Sequence, residues 1–98
     1  MNITKVRVFP VDDGDRLKAY VNIVIDNCFI LRDLKIIDGN SGIFVAMPSK
    51  KRKDGSYRDT AHPLDNETRK RIEDMVLKEY HDVLKNPDRA LSPKEFDN

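Results

Sequence analysis

A chain of 98 residues, 39% hydrophobic and 36% charged, has room for one domain with a modest core. It is too apolar to be disordered, and none of its apolar runs approaches the length of a bilayer span. The formal net charge of +1 rules out any partner being named from net charge alone. Cys28 is the single cysteine, which excludes an intramolecular disulfide and suits a reducing compartment. The first residues, MNITKVRVFPVDDGDR, lack the apolar run of a signal peptide, so a cytoplasmic location without membrane insertion is expected.

The first strand is expected over 2–9, with Val6 and Val8 on one face and Lys5 and Arg7 on the other, and Pro10 ending it. Val11 to Asp15 reads as a turn. A second strand follows over 16–25. Leu17, Ala19, Val21, Ile23 and Ile25 share one face, with Tyr20 and Val24 on the other. Asp26-Asn27 predicts a tight hairpin, because both residues tolerate left-handed φ. The third strand runs from Cys28, a small core hydrophobe in this reading, to Asp38, with a bulge near Arg32-Asp33 where the alternation stumbles. Ile43 to Met47, apolar on both faces, reads as a strand at the centre of a sheet.

Lys50 to Thr60 suggests a short exposed hairpin around Asp54-Gly55. A long helix then opens with Asp65 as N-cap. Ile72, Met75, Val76, Tyr80, Val83 and Leu84 form its apolar stripe, and Asn86-Pro87 stops it. The fold class is therefore α+β: an antiparallel sheet of about four to five strands followed by a long C-terminal helix. Residues 1–86 form the domain and 87–98 a polar tail, with a short helix from Ser92 or an unstructured end as its two readings. One helix covers one face of a sheet. Tyr20, Val24, Ile30, Ile37 and Phe44 make the other face partly apolar, which implies a second copy of the chain, a homodimer.

Charge is unevenly spread. Residues 1–47 hold six basic and six acidic side chains, 48–71 eight and four, and 72–98 four and seven. The basic middle comprises Lys50, Lys51, Arg52, Lys53 and Arg58 on the loop, with Arg69, Lys70 and Arg71 near the helix start. Cations there oppose the helix dipole, a local cost that phosphates would reverse. Pairing of Arg69 with Glu73 and Lys70 with Asp74, on a solvated surface, is the plain alternative. Tyr57 could stack on a base or pack on its own hairpin. Cys28, Asp33, Asp59, His62 and His81 are the raw materials for catalysis. They show neither the setting of an activated thiolate nor a metal-ligand spacing, so no enzyme, metal or cofactor is expected.

The run IIDGNSGIFVAMPSKKRKDGSYRDTAHPL, followed by Arg69, Ile72, Val76 and Tyr80, closely resembles the SpoVG family of bacterial septation proteins (stage V sporulation protein G). MNITKVRV and DNCFILRDLK agree, so the likeness spans roughly residues 1–82. The resemblance implies an antiparallel sheet with C-terminal helical structure, a dimer, and a role in septum formation and, in spore formers, sporulation. It also implies binding of DNA or RNA as a regulator. Lys50 and Lys51 match the basic pair after the family's MPS, and Arg69, with Lys70 and Arg71, matches its helix-start pattern. Arg52 and Lys53 extend the pair beyond that pattern. The competing reading is a protein–protein adaptor of the division machinery that binds no nucleic acid.

Overall fold

Alternating apolar and polar residues build four antiparallel strands in a simple meander. They are β1 (Ile3–Pro10), β2 (Leu17–Ile25), β3 (Phe29–Gly39) and β4 (Gly42–Ala46), ordered β1-β2-β3-β4. A separate two-stranded ribbon, β5 (Ser49–Lys51) with β6 (Tyr57–Asp59), precedes helix α1 (Asn66–Lys85) and a 3₁₀ turn, Pro87–Arg89. The computed structural model describes residues 1–12 and 14–89, so the stretch from Ser92, with its two readings, lies outside the described residues. The α+β class is as expected, with the hairpin of 50–60 forming its own small sheet.

Local chemistry explains the joints. Asp26 and Asn27 both take left-handed φ, 53° and 56°, the two-residue turn whose twist matches that of the strands it joins. Three bulges bend the sheet. In β3, Arg32-Asp33 oppose Asn22, and Asp33 stands at φ 70° with its N–H donated to Asn22 Oδ1 at 3.4 Å. Asn22 is fully buried, and its Nδ2 has no partner among the described residues. A second bulge between Leu17 and Ala19 pairs Leu17 with Ile37, which takes Leu17 off the face it was expected to share with Ala19. The third lies between Ile3 and Lys5.

Helix α1 lies across one face, against β1 and β4. Val8, Ala19, Val21, Ile23, Leu34, Ile36 and Val45 meet Ile72, Val76, Tyr80 and Val83 there in a single buried cluster. Arg71 Nη2 donates to the Met1 carbonyl at 2.9 Å and ties the start of the chain to the helix. Burial raises the Tyr80 phenol above its ordinary pKa, and the charge of Asp38 adds to the shift. Besides Leu17, three expectations are corrected. Leu84, placed in the apolar stripe, is exposed. Cys28 is exposed beside the hairpin turn rather than core. β4 is an edge strand, not a central one: its apolar character reflects Val45 packing into the core while Ile43 and Phe44 stay 38% and 42% exposed.

Candidate nucleic-acid interface

The ribbon is anchored by what precedes it. Met47 and Pro48 are buried, and Thr60 closes its base, donating to the Pro48 carbonyl from N–H (2.8 Å) and Oγ1 (3.2 Å). Its tip is a turn in which Gly55, at φ 90°, donates to the Arg52 carbonyl (3.0 Å) and Arg52 donates to that of Ser56 (2.7 Å). Asp54 Oδ1 accepts from the N–H (2.9 Å) and Oγ (2.6 Å) of Ser56. Those bonds hold the Asp54 carboxyl below its usual pKa. The acid at the tip is thus engaged in shaping the turn.

The register then concentrates positive charge. Lys50 stands directly opposite Arg58, Lys51 opposite Tyr57, and Ser49 opposite Asp59. Like charges directly across a ladder repel, so the Lys50–Arg58 pair is a fold-destabilising choice unless an anion meets it. Lys50, Lys51, Arg52, Lys53 and Arg58 line one open concavity of about 650 Å³, with Asp59 and Thr60 completing its wall. Every residue from Ser49 to Thr60 is exposed, and Tyr57 stands clear of the surface opposite Lys51.

The three helix cations are placed differently. Lys70 Nζ pairs with Asp74 Oδ2 at 3.1 Å, as its spacing suggested. Arg71 reaches the Met1 carbonyl, and Arg69 is half-buried. None of the three lines the ribbon's concavity. The structure therefore brings together five of the eight candidate cations on the ribbon and sets the other three apart. The basic residues read in order do not show the Lys50–Arg58 opposition: counting back from Asp54-Gly55 as a two-residue turn sets Lys51 opposite Arg58 and Lys50 opposite Asp59, one residue off the register of the folded ribbon.

His62 Nδ1 lies 2.9 Å from the Pro63 carbonyl in the turn before the helix. Asp65, the N-cap, accepts the Thr68 N–H at Oδ1 (2.6 Å), which holds its carboxyl below the usual pKa. A carboxylate with a depressed folded pKa stabilises the fold above its ordinary value, and that stabilisation is lost as pH falls through the lowered one. Asp65→Ala is accordingly expected to lower the melting temperature by about 5 °C at neutral pH. In thermal melts of both proteins the difference should shrink once the pH drops below the ordinary value of 3.8 and through the lowered one. Among the described residues no group of three His, Cys, Asp or Glu side chains could hold a metal, and no helix is long and apolar enough to cross a membrane.

Known proteins resemble the chain throughout this architecture. The SpoVG family model matches residues 1–82. A Bdellovibrio bacteriovorus protein named "Putative septation protein SpoVG" is 60% identical over 91 residues, covering 93% of this chain and 83% of its own. Proteins of the same name from Myxococcus xanthus and Staphylococcus haemolyticus are 61% and 43% identical, over 82% and 99% of this chain and 80% and 98% of theirs. The match takes in the whole sheet, the basic ribbon and all but the last turn of the helix: the chain belongs to the SpoVG family.

Proposed function

We propose that this protein is a cytoplasmic regulator of septation that works by binding nucleic acid, as a binding protein and not an enzyme. The septation role follows from the names its relatives carry. Nucleic-acid binding rests on one observation above all: Lys50 is held opposite Arg58 on an exposed ribbon whose tip acid is engaged in its own turn. That arrangement is costly alone and favourable against a row of phosphates. Neutralised phosphates release condensed counterions, so binding should weaken steeply with salt. The test is titration of labelled DNA and RNA across a salt series. A log–log slope of about −3 or steeper supports phosphate capture. Absence of binding at low salt would instead favour the adaptor reading.

A second copy would double the ribbons on one nucleic acid and raise avidity. We infer a homodimer that forms along the outer edge of β4, where Ile43 and Phe44 remain exposed. Pairing there would satisfy the free edge of the strand and continue the sheet. Ile43→Lys, a charge on that edge, is expected to give a monomer at micromolar concentration in sedimentation experiments where the parent sediments as a dimer.

A further inference from the structure

The sheet segment is neutral in sequence, yet its cations gather on one face in space. Lys5, Arg7 and Lys35 occupy ladder positions on the face away from α1, and Lys18 joins them at the β2 bulge. No carboxylate holds a ladder position there. Asp38 pairs with Ile43 on the helix side, where its charge reaches Tyr80, Asp26 is a turn residue, and Arg32 with Asp33 adds one charge of each sign at the bulge opposite Asn22. Between the cations lie two accessible aromatic rings, Tyr20 half-buried and Phe44 exposed, while Phe9, in the same row as Tyr20, is fully buried. Phe9, Tyr20, Lys35 and Ala46 form one row across all four strands. The Arg7 guanidinium sits 5.5 Å from the centre of the Phe9 ring. At the far edge the exposed Phe44 ring fills the space a side chain at Gly39 would need, since a Cβ there would come within 2.8 Å of it.

We propose that this helix-free sheet face is a second nucleic-acid surface, specific for single strands, DNA or RNA. Unstacked bases need π-faces, and their phosphates need cations spaced between them. Tyr20 and Phe44 lie two strands apart, roughly 10 Å, with Lys35 on the strand between them. A duplex hides its base faces and gains little from such a surface. An acidic protein would use the cations without needing the rings. A second copy stacked face to face would set Lys5, Arg7, Lys18 and Lys35 against the same residues of its partner. The inference shares the ligand class of the ribbon reading but none of its residues, so the two stand or fall separately.

The test compares three proteins on labelled oligo(dT), oligo(U) and a duplex of equal length. They are the parent, a face variant (Lys18→Glu, Lys35→Glu, Tyr20→Ala) that leaves the β4 edge intact, and a ribbon variant (Lys50→Glu, Lys51→Glu). The face variant is expected to lose at least tenfold in affinity for both single strands and about 1.4 units of salt slope, with duplex affinity unchanged. A milder Lys18→Gln, Lys35→Gln protein guards against misfolding and should show most of the slope change. Equal loss on duplex and single strands, an unchanged face variant, or displacement of oligo(dT) by poly-glutamate at equal charge would each overturn the proposal. So would a face variant that turns monomeric while binding single strands normally, since a second copy would then own the face. If only the ribbon variant fails, the ribbon stands and the face does not. If only the face variant fails, the reverse holds.

Discussion

Reversing Lys50, Lys51, Arg52 and Lys53 to glutamate is expected to lower duplex affinity by about a hundredfold or more near 50 mM salt, and to flatten the salt slope by about 3.6 units. The slope change follows from four phosphates that are no longer neutralised, at about 0.9 each. These four residues share one concavity and are all exposed, so their replacement disturbs nothing in the core. Glutamate at 50 would also turn the repulsion with Arg58 into an attraction. The variant ribbon should therefore hold together at least as well as the parent, and a failure to bind could not be assigned to an unfolded hairpin. Gel-shift or anisotropy titrations beside thermal melts separate the two effects. A melting temperature within about 2 °C of the parent's, with binding unchanged, would remove the ribbon from the interface.

Truncating Leu34 to alanine is expected to cost about 3 kcal/mol. Leu34 is fully buried on an inner strand, in the cluster capped by the helix, so the deleted atoms leave a cavity that the sheet and helix cannot readily close. A domain of this length is stable by roughly 5–15 kcal/mol, so the change consumes a large share of the total and should lower the melting temperature by about 12–20 °C. Leu64→Ala gives the contrast: Leu64 is 93% exposed, and its loss should fall within about 0.5 kcal/mol. Chemical denaturation of both variants checks the pair, with an unchanged m-value showing that the loss lies in the native core.

Much of this architecture could be read from local chemistry. Asp26-Asn27, Asp54-Gly55, the Asp65 cap and the Asn86 stop each act within a few residues, and the structure has them as turns, cap and helix end. Errors arose where the outcome depends on partners far along the chain. An apolar run such as Ile43 to Met47 reads as central, but sheet order is decided by which strands pair, and among the described residues β4 finds a neighbour on one side only. Leu17 follows the alternation of β2 until a bulge resets it. Leu84 lies one position round the helix from the buried Val83, at the margin of the stripe, and meets solvent. For the interface, residue type located the basic loop, but only register set Lys50 against Arg58. The gathering of Lys5, Arg7, Lys18 and Lys35 on one face was hidden by a segment charge that came to zero.

The ribbon closes on itself: its base is Thr60 against Pro48, its tip Asp54 with Ser56, and its rungs belong to its own two strands. A head so self-contained can change its charges, or its length, without renegotiating the fold. On the nucleic-acid reading proposed above, this makes the ribbon the part where target preference could diverge while the sheet and helix are kept. It also makes the ribbon a graftable part: on the same reading, exchanging residues 49–59 between two members of the family is expected to carry the donor's preference to the host.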